Sequence, residues 1–133
     1  MDTIIVGFDD TEPARRALLK ASDLARILGA RLVVTSVAPV DEFSSVPQAA
    51  LAKLDLPALA RARMLLEEHG GEAEYQPALG EPPDAIVEVA EKRGAGMIVL
   101  GTREPGVVER LLGHSVSHAV LRMAKCDVLV VRR

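Results

Sequence analysis

Two stretches of the chain carry residue types that do chemistry. GFDDTEP (Gly7–Pro13) places adjacent carboxylates, Asp9 and Asp10, directly after a short apolar run. Acids at such a point can hold a divalent cation for phosphoryl transfer, or accept from the hydroxyl and amino groups of a nucleoside. LGTREPGVVERLLGHSVSHAV (Leu100–Val120) is a glycine-punctuated loop leading into an amphipathic segment. Loops of that kind cradle phosphates, because backbone N–H groups and a helix N-terminus converge on them. Here a glutamate, a proline and a histidine stand where a phosphate would prefer bare glycine.

Elements of two periods must position these stretches. TIIVGF (Thr3–Phe8) is β-branched and apolar, as a buried strand is. From Thr11 to Leu28 the period becomes helical, with Ala14, Leu18, Ala21, Leu24, Ala25 and Leu28 on one face and Gly29 as the stop. Pro13 is tolerated because first-turn N–H groups have no helical partner. RLVVTSVA (Arg31–Ala38) is a second strand. The proline-bearing stretch from Pro39 to Pro57 is a loop expected to become helical by about Leu51 and to run to Gly70-Gly71. Glu72–Leu79 alternates as a third strand, Gly80–Pro83 turns the chain, and Asp84–Arg93 is a third helix. Gly96–Gly101 is a fourth strand. Ser115–Ala124 is a last helix with Val116, Ala119, Val120 and Met123 on one face, and Cys126–Arg133 is the fifth strand.

Buried strands alternating with helices predict the α/β class: a doubly wound five-stranded parallel sheet with helices on both faces. Residues 1–133 are expected to form a single domain, long enough to bury a core. Ligands of such sheets bind beyond the strands' carboxyl ends, where the winding reverses. Three places qualify: after Phe8, after Val37 and after Leu100.

Composition narrows the partners. A net charge of −3 gives no reason to expect nucleic acid or an anionic membrane. Aromatics are 2%, namely Phe8, Phe43 and Tyr75, too few for base-stacking platforms. MDTIIVGFDD lacks the basic start of a signal peptide, no apolar run is long enough to cross a bilayer, and Cys126 is the only cysteine. A soluble, cytoplasmic protein is the expectation.

The acidic pair admits competing readings. A phospho-receiver needs its acceptor aspartate at the end of the third strand, but Asp55 sits in AALAKLDLPALARA, with no β-branched run before it. Asp10 and Thr11 read as caps of the first helix. Asp9, the last residue aimed into the crevice, either accepts from an adenine amino group or ribose hydroxyl, or binds loop amides.

The whole chain resembles a single-domain universal stress protein. The resemblance rests on VGFDDTEPARRAL, on MIVLGTRE and on LLGHSVSHAVLRMAKCDVLVVRR. It implies an adenine nucleotide alpha hydrolase-like layout and a non-catalytic binding or regulatory module in a stress response. It also implies an ATP crevice with Gly7, Phe8, Asp9 and Val37 on the adenosine side. Leu100, Gly101 and Arg103 would lie along the ribose and phosphates, with Ser115, Val116 and Ser117 at the phosphates and Mg2+ present only with nucleotide.

ATP-binding members carry G-x2-G-x9-G-[S/T] after the fourth strand. Here Gly101 and Ser115 match, while Glu104 and His114 replace the second and third glycines. A carboxylate about 4 Å from a phosphate repels it by up to about 4 kcal/mol at an effective dielectric near 20. Pro105 removes one amide from the same turn. The cradle is therefore impaired while the crevice is kept, and divalent metal bridging Glu104 to a triphosphate would reverse that sign. A weak ATPase, with Glu104 or His114 positioning water, and a ligand-free dimeric interaction protein are the alternatives.

No other constellation supplies a nucleophile with its base or a metal site. His114 and His118 are four apart, but His114 precedes the helix and His118 is expected at its solvent side; Cys126 reads as a small buried hydrophobe. The last strand falls at a sheet edge in both common orders of this architecture. DVLVVRR (Asp127–Arg133) has no proline or inward charge to blunt pairing, so a homodimer through it is expected, as the resemblance also implies.

Overall fold

A computed structural model of the chain describes residues 1–38, 47, 50, 55–102 and 116–132. In chain order the elements are β1 (Thr3–Gly7), α1 (Glu12–Leu28), β2 (Arg31–Ala38), α2 (Pro57–His69), β3 (Glu74–Leu79), α3 (Pro82–Arg93), β4 (Met97–Gly101), α4 (Val116–Met123) and β5 (Asp127–Val131). The five strands are parallel, in the order β3-β2-β1-β4-β5. The chain winds outward from β1 to β3, then crosses back over β1 to build the other half. The reversal therefore lies between β1 and β4.

Period-2 alternation sorts the apolar residues onto two faces. Ile4, Val6 and Phe8 join Val34, Val99 and the buried faces of α1 and α2. Ile5 instead joins Val33, Ile98 and the faces of α3 and α4. Register aligns these residues into rows across the sheet: Ile5 lies opposite both Val33 and Ile98, and Val6 opposite Val34 and Val99. No helix among the described residues is long and apolar enough to cross a membrane.

Helix ends follow the local signals, with three departures from the sequence expectation. Thr11 caps α1 by accepting from Ala14 N, and Gly29 closes it at φ 66, a left-handed position a side chain would resist. The segment before Gly70 is not helical throughout from Leu51. Residues 51–54 lie outside the described residues, Leu56 is extended (φ −82, ψ 131), and α2 starts at Pro57. A proline disfavours the helical region for its predecessor while fitting the first turn itself, so Pro57 makes a start there. The same logic places Pro82 and Pro83 inside the first turn of α3 and not in the preceding turn.

The third departure concerns α4, whose buried residues are Ser117 and Val120, while Val116 and Met123 are about 40% exposed. The helix is short and lies toward the sheet's β5 side, so its inner face is narrow. The apolar residues flanking that face are left outside. His118 is exposed, as expected.

Candidate functional site

The carboxyl ends of β1, β2 and β4 open into one crevice of about 380 Å3. That volume lies within the range of small-molecule pockets. Its wall brings together Gly7, Phe8 and Asp9 after β1, Val37 on β2, Leu100 and Gly101 at the end of β4, and Val116 and Ser117 at the start of α4. Of the ten residues singled out from the sequence, these eight meet in one place; Arg103 and Ser115 lie outside the described residues, as do Glu104 and His114.

The floor is backbone. Phe8 N donates to the Thr35 carbonyl at 2.9 Å, so Thr35 turns its main-chain groups toward β1. By strand alternation Val37 turns its amide and carbonyl the same way. β1 pairs only as far as Gly7 opposite Thr35, so the Val37 groups face the crevice beyond the end of that ladder. A donor and an acceptor side by side on a strand edge match the amino and ring nitrogens of a purine or amide-like heterocycle.

Asp9 holds the rim of the β1–α1 turn. Its Oδ1 accepts from Thr11 N at 3.1 Å and from Thr11 Oγ1 at 2.6 Å. One loop amide and one hydroxyl, both of Thr11, thus occupy one oxygen of the exposed carboxylate. Asp10 does not cap α1: Arg15 Nε donates to its Oδ1 at 3.1 Å, and Thr11 alone serves as the cap. The carboxylate is drawn away because Asp10 adopts a left-handed conformation, φ 61, which aims its side chain at the Arg15 guanidinium.

Two glycines serve packing. A Cβ on Gly7 would meet Leu100 Cδ2 at 2.8 Å and Ile86 Cδ1 at 3.2 Å, the ends of movable side chains. On Gly101 it would run into the Pro13 carbonyl and come within 2.9 Å of Ala14 N. Gly101 therefore lets the start of α1 sit directly on the end of β4, a function separate from any approach to phosphate.

The starts of α1 and α3 reach the crevice. α1 carries Pro13, and α3 begins on Pro82-Pro83, so both lack N–H groups in the first turn. Val116 and Ser117 of α4 join them on the wall.

Sequence reading passed over Thr35 and Pro82, which also line this wall. Thr35 is fully buried and its Oγ1 donates to the Gln76 carbonyl at 2.7 Å, tying β2 to β3 under the floor. Its position two residues before Val37 on one strand was the available signal. Among the described residues no three His, Cys, Asp or Glu side chains gather in a metal-holding group.

Away from the crevice, Cys126 packs half-buried against the α3–α4 side of the core. Burial first, then the Asp127 carboxylate, raises its thiol above the usual range; its own backbone hydrogen bond opposes this, and Glu91 adds to the rise. A raised thiol pKa leaves less thiolate near neutrality. Iodoacetamide is expected to alkylate Cys126 severalfold more slowly than free cysteine at neutral pH, with the rate still climbing beyond the usual thiol range. Alkylation as fast as free cysteine would contradict that environment.

The family model described as the universal stress protein family matches residues 1–132. A universal stress protein of Thermus aquaticus is 33% identical over 134 residues, covering 98% of each chain. A universal stress protein solved in complex with cAMP is 30% identical with a TM-score of 0.77, covering 98% of this chain and 96% of that one. The universal stress protein from Archaeoglobus fulgidus in complex with dAMP is 27% identical with a TM-score of 0.68, covering 98% and 97%. By sequence across its length, this chain belongs to the universal stress protein family.

Proposed function

We propose that the protein is a non-catalytic, regulatory module of a stress response that binds an adenine nucleotide in the crevice between β1 and β4. The observation that carries this reading is the Val37 amide and carbonyl facing the crevice that the Asp9 carboxylate borders. An adenine would lay its amino group and N1 against Val37, with the ribose near Asp9 and Gly101. Phosphate would lie toward Val116 and Ser117. Relatives solved with cAMP and dAMP support a ligand carrying one phosphate.

Glu104 and His114 set the phosphate preference. Titration calorimetry is expected to show AMP or cAMP binding at least as tightly as ATP with Mg2+. Glu104→Gly combined with His114→Gly should strengthen ATP about tenfold or more, by removing one repulsive charge and one obstructing ring. Wild type binding none of the three nucleotides would leave the ligand-free interaction protein as the reading. Phosphate release from ATP would favour the hydrolase.

A cytoplasmic homodimer through β5 is part of the same proposal. β5 is an edge whose central residues are half-buried, and exposed Val116, Leu121 and Met123 lie on neighbouring α4. The opposite edge is guarded: β3 contains Pro77, and its Glu74 pairs with Arg31 and Arg93, each at 3.2 Å. Val130→Asp is expected to turn a dimer into a monomer in light scattering behind size exclusion. A monomeric wild type would remove the dimer.

A further inference from the structure

We infer that Arg15 is a positioning residue for the crevice, acting through the left-handed turn at Asp10. For ligand binding, this rests on the nucleotide reading above. Asp10 is the one non-glycine at positive φ among the described residues. It does not line the crevice, yet its neighbours on both sides, Asp9 and Thr11, do. Its backbone angle therefore decides where the Asp9 carboxylate and the Thr11 hydroxyl stand. An L-residue resists that angle, and something must hold it there.

Arg15 is placed to do so. Its Nε donates to Asp10 Oδ1 at 3.1 Å and its Nη2 to the Asp10 carbonyl at 3.0 Å, gripping side chain and main chain together. Nη2 also lies 3.0 Å from Oδ1. The rigid guanidinium fork makes this a geometric constraint as well as an attraction. From α2, Arg61 Nε approaches the same oxygen at 3.9 Å. A cation in the first turn opposes the helix dipole, so helix stability does not account for Arg15 at that place. The grip on Asp10 does. Asp9 Oδ1 is in turn bound to Thr11 N and Oγ1, so the turn moves as a unit.

The test compares Arg15→Ala, Arg15→Lys, Asp10→Gly and the double variant Arg15→Ala with Asp10→Gly. Two quantities are measured: AMP affinity, and hydrogen exchange of the Thr11 amide in the ligand-free protein. Arg15→Ala and Arg15→Lys should each weaken AMP and speed exchange by about fivefold, the scale of a well-formed surface pair. Asp10→Gly should stay near wild type, since glycine takes the left-handed angle unaided. The double variant should match Asp10→Gly, because the loss exists only while residue 10 needs holding.

A plain surface charge effect would give the same loss from Arg15→Ala in both backgrounds and would spare Arg15→Lys; either result overturns the proposal. Unchanged exchange and affinity in Arg15→Ala would overturn it as well. If wild type takes up no AMP, the nucleotide reading fails, and exchange at Thr11 alone decides the role of Arg15.

Discussion

Gly101→Ala is expected to lower the melting temperature by about 10–15 °C, the equivalent of about 3 kcal/mol in a domain of this size. The added methyl would have to share space with the Pro13 carbonyl and lie 2.9 Å from Ala14 N. Both are main-chain atoms of the first turn of α1, so no rotamer change makes room. Either α1 lifts from the end of β4 or the end of β4 bends. Each exposes the buried layer beneath, where Ala17, Leu18 and Val99 are closed to solvent.

Gly7→Ala supplies the control. There the new methyl meets the ends of Leu100 and Ile86, which can turn aside, and the expected loss is about 1 kcal/mol. Thermal unfolding of the two variants checks the contrast. Equal shifts would mean that α1 does not rest on β4 as described.

The contrast also bears on how the family motif should be read. Gly101 matches the first glycine of a phosphate-binding pattern, and from the sequence it reads as part of a cradle. In the fold its missing side chain faces a helix start. One residue can satisfy both demands. A glycine kept for packing says little about whether phosphate is bound.

Most of the architecture was legible because burial imposes simple periods. β2 was read to its residue limits, Arg31–Ala38, since an apolar run with β-branched residues between a glycine stop and a proline leaves little choice. Strand–helix alternation implied a parallel sheet but left its order open; the order β3-β2-β1-β4-β5 puts Phe8, Val37 and Leu100 at one opening. The misses lie where a local rule competes with a period. At Pro57 the steric demand on the preceding residue overrode an apparently continuous helical spacing. On α4 the apolar residues predicted an inner face holding Val116 and Met123, but a short helix toward the sheet's side buries a narrower strip and hides Ser117 instead. Asp10 read as a cap of α1 and is not one: five residues of spacing do not announce a bond running backward from Arg15 in the helix.

Val37→Pro is expected to weaken AMP binding by about tenfold to a hundredfold while leaving the sheet in place. The effect follows from which way one residue turns. Because Thr35 gives its carbonyl to Phe8 N, alternation sends the Ser36 and Ala38 main-chain groups toward β3 and those of Val37 toward the crevice. Proline at 37 removes a single amide on the crevice side and spares the β2–β3 ladder. Its fixed φ is compatible with extended backbone, and the restriction it places on Ser36 is one the strand already meets. The adenine N1 would then lie buried without its donor, a loss of about 1–3 kcal/mol.

Val37→Ala retains the amide and should bind AMP nearly as wild type does. That result would separate the main-chain contact from the packing of the valine side chain. Should Val37→Pro bind AMP unchanged, the base does not lie against β2, and the orientation proposed for the ligand is reversed.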